Sequence, residues 1–412
     1  MKTILYIHQY FALPSSSGGT RSYDLSRSFI DKGFKVVVIT SSSFLKNEIL
    51  SDRDRWTVKN IDNIELHILK SSYSNKTSFA KRIMIFFHFF LLASLRALKI
   101  NCDLVLATST PITVAVPALV KRTLQKTPYL FEVRDVWPEV PVAMGIIKNG
   151  IFIKLLNRFE AYIYKKAVHI VALSDDMKKS ILERTRIPDN KISVIPNIAE
   201  IKRFNESKKD RSIFEEKMGF VPRRSVLYAG TLGMVNGLTY VLELAKNCIK
   251  IDPELKFIIV GDGLEKCQIV HHAERDGTLN KNVFFLEPMP KSELPQLYSE
   301  CTVGSSFVIP VKELWANSAN KFFDCIAAGR PIVVNYEGWQ SKLIKEKNIG
   351  FVLSYGGEHD IKEAKEFCRY INDINLMNEQ GVKAKELAKE RFSLEVSSLN
   401  YLLLINQILK SN

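Results

Sequence analysis

The sequence predicts an α/β protein with two Rossmann-like parallel-sheet domains facing across a cleft. Three observations carry that prediction. Short apolar runs of strand length recur along the chain, stretches of helical periodicity separate them, and the alternation restarts after the polar stretch Glu206 to Arg211. At 412 residues the chain is too long for one ordinary doubly wound domain and comfortable for two.

In the first half, Thr3 to Tyr10 reads as a strand and Ser22 to Lys32 as a helix closed by Gly33, a residue suited to a left-handed end. Lys35 to Thr40, Leu104 to Thr108, Tyr129 to Val133 and Ile170 to Leu173 are strands, the last following an amphipathic helix from about Ile151 to Lys166. These runs are apolar throughout rather than alternating, as in parallel sheets covered on both faces. In the second half the strands are Ser225 to Tyr228, Lys256 to Val260, Val283 to Leu286, Val303 to Ser306 and Pro331 to Asn335. A helix is expected from about Leu238 to Lys250, and two more close the chain, from about Leu376 to Lys389 and Leu394 to Leu409.

Composition narrows the function classes. The six cysteines show no C-x-x-C pair and no metal-ligand spacing, so they read as reduced core thiols, and no metal site is expected. Met1-Lys2-Thr3 leads straight into an apolar strand without a signal-peptide pattern, so the expected compartment is the cytoplasm. The net charge of +14 is uneven: residues 1–200 hold 29 Lys and Arg against 17 Asp and Glu, the remainder 29 against 27. A basic first half calls for an anionic partner. No zinc-finger, homeodomain-type or RNA-binding signature accompanies it, which favours acidic lipid over nucleic acid.

Lys81-Arg82 precede the apolar run Ile83 to Leu95, which contains Phe86, Phe87 and Phe90, and Arg96 and Lys99 follow. The run is shorter than the roughly 20 residues that span a bilayer. Two readings stand: a helix lying in the headgroup layer with its cations on anionic lipid, or a buried core helix.

Ligands of open α/β sheets collect at the carboxyl ends of strands, where helix N-termini present N–H groups. Ser15 to Arg21, with Gly18 and Gly19, follows the first strand. Ala229 to Gly237, with Gly230, Thr231, Gly233 and Asn236, lies between strand and helix in the second half, a position suited to a diphosphate. Gly261-Asp262-Gly263 reads as a strand cap. In the segment Ser318 to Pro331, Gly329 and Pro331 end a helix whose first turns carry Asn320, Lys321 and Asp324. A cation there suits a diphosphate leaving group, and a carboxylate one turn later suits ribose hydroxyls; a plain surface helix is the alternative.

These elements in this order, together with Arg134-Asp135-Val136-Trp137-Pro138-Glu139 and Val194-Ile195-Pro196-Asn197, resemble glycosyltransferase family 4 from about residue 3 to 400. The chain is similar in particular to bacterial O-antigen and capsule transferases of the L-fucosamine transferase type. The resemblance implies the GT-B fold and a retaining mechanism without an obligatory metal. It implies an acceptor and membrane-facing domain over 1–200, a nucleotide-sugar domain over 201–390, and a helix over 391–412 returning to the first. Asp324 matches the second acid of the family's E-x7-E pattern, which holds the ribose, while the first falls at Ala316. Thr231 and Asn236 stand where the family carries Arg and Lys. Lys321 is the candidate replacement cation, with Arg21 or Arg134 from across the cleft. Glu287 lies where the base is met, Asp135 near the family's acid or His facing the donor sugar, and Glu139 beside the cleft. The implied donor is a UDP-linked N-acetylated 6-deoxyhexose such as L-FucNAc, with no further cofactor. The implied acceptor is a polyprenyl-diphosphate-linked saccharide at the inner membrane face. A nucleotide-sugar 2-epimerase of the same fold and a non-catalytic donor- or lipid-binding subunit remain as alternatives; the oligomeric state stays open.

Overall fold

A computed structural model describes residues 1–16, 18–45, 54–71, 79–206, 212–354 and 361–411. The chain forms two compact units. Unit 1 comprises Met1–Asn197, Ala316–Ser318 and Leu394–Asn412; unit 2 comprises Ile198–Trp315 and Ala319–Ser393.

Unit 1 is built on β1 (Thr3–Ile7), β2 (Lys35–Ser41), β3 (Trp56–Ile61), β4 (Ile64–Leu69), β5 (Leu104–Thr108), β6 (Tyr129–Val133), β7 (His169–Ala172) and β8 (Ile192–Val194). Their order is β3-β4-β2-β1-β5-β6-β7-β8, parallel except for the hairpin β3–β4. The apolar runs lie in the middle of the sheet, where every residue of β5 and β6 is buried. One face packs on helices Phe79–Leu98, Ala115–Gln125, Gly150–Lys166 and Asp175–Thr185 through Phe89, Ala93, Ala118, Ile163 and Ile181. Helix Arg21–Asp31 packs on the closing helix Leu394–Ser411, the rings of Phe29 and Tyr401 meeting at 6.1 Å.

Unit 2 holds a parallel six-stranded sheet of β9 (Arg224–Ala229), β10 (Leu255–Val260), β11 (Val283–Leu286), β12 (Val303–Ser306), β13 (Ile332–Val334) and β14 (Gly350–Val352), ordered β11-β10-β9-β12-β13-β14. Both of its faces are covered by apolar clusters. Helix Asn320–Ala327 lies hard against β12: a Cβ on Gly304 would stand 2.5 Å from the Cys325 sulfur. That close approach needs glycine, and it fixes the helix carrying Lys321 and Asp324.

Candidate functional site

In unit 2 the loop after β9 folds onto the turn after β10. The Gly230 N–H donates to the Val260 carbonyl (2.9 Å) and the Leu232 N–H to the Asp262 carbonyl (3.0 Å). These two amides tie the loops together rather than standing free for a bound diphosphate. Gly261-Asp262-Gly263 is more than a strand cap. A Cβ on Gly261 would lie 1.9 Å from the Gly230 oxygen, and one on Gly263 2.1 Å from the Leu232 oxygen. The Thr231 carbonyl accepts from the Tyr228 hydroxyl (2.7 Å) and from Asn236 Nδ2 (2.9 Å). Thr231 is itself exposed, and Gly233 is half-buried.

Lys321 turns inward over this loop. Its Nζ sits 4.9 Å from the centroid of the buried Tyr228 ring, a cation–π contact. Its stem runs so close to Gly230 that a Cβ there would meet Lys321 Cε at 2.4 Å. Desolvation pulls the ammonium pKa down to about 8, against the opposing pull of Asp324 one turn further on. Asp324 is pushed up to about 6 by burial; Lys291, Arg203 and Lys321 favour its charge, and Glu200 opposes it. Sequence reasoning missed Glu200, Arg203 and Lys291, in which Glu200 receives both cations. Glu200 and Arg203 lie three residues apart, but Lys291 is 91 residues further on, which leaves no local pattern tying the three to Asp324.

Asn320 opens the helix and is exposed. Glu287 is exposed, and its carboxylate is drawn to Lys266, with Nζ at 2.7 Å. Ala316 belongs to unit 1, where its carbonyl accepts from the Ser174 hydroxyl at 2.6 Å.

In unit 1, Gly18 and Gly19 are half-buried, and a Cβ on Gly18 would press on Ala12 at 2.8 Å. Arg21 corrects its assignment as a ligand-facing cation. It is 5% exposed, binds buried Glu132 (Nε–Oε2, 3.3 Å), and donates to the carbonyls of Ile195 (2.9 Å) and Pro196 (2.5 Å). Glu132 also accepts from Thr108 Oγ1 (2.7 Å) and the Tyr401 hydroxyl. Burial pushes its pKa up, but Arg21, Arg134 and these hydroxyls outweigh that and hold it below the usual carboxylate value. Arg134 and Asp135 follow β6, at the carboxyl end of the sheet. Both are half-buried, with the Arg134 N–H on Ser109 Oγ (2.9 Å) and the Asp135 carboxylate accepting from Thr110. His8, at the end of β1, is buried against Ser22 Oγ (2.9 Å), and burial, then Arg134, lower its pKa to about 3, leaving it neutral. Glu139 accepts from Ser180 (2.7 Å) and lies 3.9 Å from Arg184, so it faces helix Asp175–Thr185.

Helix Phe79–Leu98 has one face in the core and one apolar face exposed. Phe89, Ala93 and Ala97 are buried, while Ile83, Met84, Phe87, Leu91 and Leu95 are exposed. Lys81 is exposed; the Arg82 side chain lies outside the described residues. Phe86 and Phe90 are half-buried, the latter edge-on to Phe87 at 4.8 Å, so of the three phenylalanines Phe87 points furthest out. Arg96 is a correction: it donates to His67 Nδ1 (2.7 Å) and stacks over Trp56, within the fold. Among the described residues no helix is long and apolar enough to cross a membrane, and no cluster of His, Cys, Asp or Glu could hold a metal ion.

Two parallel-sheet α/β units, with a cation and an acid at the carboxyl edge of the second, define a GT-B type protein. The whole chain superimposes on that class. A crystal structure of Anabaena Alr3699/HepE in complex with UDP and glucose matches with TM-score 0.73 over 99% of this chain and 100% of that one, at 16% identity. WaaG, a glycosyltransferase involved in lipopolysaccharide biosynthesis, matches with TM-score 0.65 over 97% and 98%, at 15% identity. Residues 18–203 match the model of Glycosyltransferase Family 4, and residues 223–371 that of Glycosyl transferases group 1. The chain is thus similar to family 4 glycosyltransferases in its first half and to group 1 glycosyl transferases in its second. It is 24% identical to spore coat protein SA of Bacillus subtilis (strain 168) over 50% of this chain and 55% of that protein. It is also 24% identical to the UDP-Gal:alpha-D-GlcNAc-diphosphoundecaprenol alpha-1,3-galactosyltransferase of Escherichia coli, over 49% and 51%. The chain thus spans about half the length of these curated relatives.

Proposed function

We propose that this protein is a retaining, metal-independent glycosyltransferase. It moves a sugar from a UDP-linked donor to a saccharide on a polyprenyl diphosphate, in O-antigen or capsular polysaccharide assembly. The observation that carries the reading is Lys321 held over Tyr228 beside the Gly230 backbone, with Asp324 one turn away. As the bond from the anomeric carbon to the diphosphate oxygen breaks, negative charge grows on the leaving group and positive charge on the sugar ring. A fixed ammonium in a desolvated setting stabilises that charge separation more than it does in water. Asp324 accepts the ribose hydroxyls. The acceptor oxygen attacks the face the diphosphate leaves, and its proton passes to the departing phosphate oxygen, so no metal or protein nucleophile is required.

UDP and a diphosphate-linked lipid acceptor are supported by the activity of the E. coli galactosyltransferase to which the chain is similar. An L-FucNAc-type sugar rests on the sequence resemblance alone. A position at the cytoplasmic face of the membrane is supported by the exposed apolar side of helix Phe79–Leu98 and by Ile151, Phe152 and Leu155 on helix Gly150–Lys166, with the exposed Lys154 and Arg158 nearby.

The test follows label from UDP-N-acetyl-6-deoxyhexoses and other UDP-sugars into polyprenyl-diphosphate-linked acceptors, with and without EDTA. Expected is transfer that survives EDTA, preserves the anomeric configuration and falls roughly 100-fold or more in Lys321→Ala. Donor turnover without acceptor supports the 2-epimerase reading, and nucleotide binding without any turnover the non-catalytic one.

A further inference from the structure

A cavity opens at the edge of unit 2 opposite the Lys321 group, where the strands begin. It encloses about 750 Å³ and is bounded by the start of β9, the residue before β12 and the turn before β13, with helix Ile374–Arg391 as its far wall. The strands between this edge and the Lys321 group are four to six residues long, which separates the two by roughly 15–20 Å.

Four cations reach this cavity: Arg223, Arg224, Arg330 and Lys385. The acid in its wall, Glu300, does not balance them, because its oxygens already accept from Ser212 Oγ (2.7 Å), the N–H groups of Ile213 and Phe214 (3.0 and 3.1 Å) and Gln296 Nε2 (2.5 Å). Arg224 gives one nitrogen to Asp252 at 3.0 Å, while its Nε is buried and, among the described residues, has no acceptor. Arg330 reaches the Ser299 carbonyl. Arg223 and Lys385 are exposed at the rim. The remaining wall is apolar, with Met377 buried and Ile374 and Val382 open.

We propose that this cavity binds an organic phosphate or diphosphate whose remainder is apolar, at a site separate from the Lys321 group. Arg223, Arg330 and Lys385 offer N–H donors around one cavity, and a phosphate is the acceptor that arginines grip best. The volume suits a small molecule, and the isoleucine–valine side offers its apolar part a dry surface. The proposal does not depend on the reading of Lys321.

The test is calorimetric titration of the full chain with inorganic pyrophosphate and with geranyl diphosphate, in three proteins: wild type, Lys321→Ala and Arg223→Ala/Lys385→Ala. Expected is tighter binding of geranyl diphosphate than of pyrophosphate in the first two, and affinity at least roughly tenfold weaker in the third. Both rim side chains are exposed, so an unchanged melting temperature establishes that the double variant folds. Binding lost in Lys321→Ala, or unchanged in the double variant, overturns the proposal, as does the absence of saturable binding by either probe. Equal affinity for the two probes overturns the assigned ligand class.

Discussion

Arg21 and Glu132 form a buried ion pair in which each partner also holds another part of unit 1. Arg21 secures the carbonyls of Ile195 and Pro196, and Glu132 the hydroxyls of Thr108 and Tyr401. Removing one partner strands the other charge away from water. Arg21→Met should therefore destabilise unit 1 by about 3–5 kcal/mol in urea melts. A carboxyl whose pKa falls on folding contributes stability that is present above its unfolded value and is lost as pH drops through its folded value. Wild type should thus lose stability toward acid more steeply than Glu132→Gln does; parallel acid profiles would show that the pair contributes no pH dependence.

The Gly230–Gly261 contact makes a sharper prediction. A methyl on residue 261 meets a backbone oxygen that cannot rotate away, so Gly261→Ala should cost at least ~3 kcal/mol and also abolish UDP binding. Gly150→Ala, where nothing lies within 4 Å and the residue opens a helix, serves as the control and should be neutral within about 0.5 kcal/mol. Comparable melting of the two variants would mean that the loops are not interlocked in solution.

Much of the architecture was legible because buried parallel strands are apolar throughout. The runs at 104–108, 129–133, 283–286 and 303–306 coincide with β5, β6, β11 and β12 to the residue. The β3–β4 hairpin was not recognised, although Asp62 and Asn63, both at positive φ, form the two-residue turn such hairpins favour. β14 was also missed, because a three-residue strand is too short for periodicity to register, and helix Ile361–Asn372 was missed although Ala364, Phe367, Cys368 and Ile371 recur at helical spacing. At the site, Lys321 and Asp324 were legible because they share one helix. The structural task of Arg21 was not, because its partners lie more than 100 residues away. Glu132 did leave a signal, as a lone carboxylate inside the apolar run Tyr129 to Val133, which demands a buried cation.

On the proposed reading, the pH dependence of UDP binding follows from Lys321 and Asp324. The Lys321 ammonium is lost as pH rises through about 8, and the Asp324 carboxylate as pH falls through about 6. Affinity measured by calorimetry should peak between these limits. In Lys321→Arg the alkaline decline should disappear below pH 10, because a guanidinium stays charged there. A decline near pH 8 that persists in Lys321→Arg would assign it to another group.

On the proposed reading, the two faces of helix Phe79–Leu98 separate membrane attachment from folding. Phe87 and Leu91 lie outward, 58% and 48% exposed, whereas Phe89 is 1% exposed in the core of unit 1. Phe87→Ser/Leu91→Ser should leave the melting temperature within a degree or two, yet weaken binding to vesicles of anionic phospholipid by roughly tenfold or more, since two apolar side chains no longer enter the interface. Phe89→Ser should instead lower stability by about 3 kcal/mol or more, as a core cavity lined by a hydroxyl does. Added salt should weaken wild-type binding, because Lys81 and the neighbouring cations contribute through a screened field. Sedimentation with vesicles at low and high salt decides the matter: equal pelleting of wild type and Phe87→Ser/Leu91→Ser would remove this helix from the membrane contact and leave the basic charge of unit 1 to account for any binding that remains.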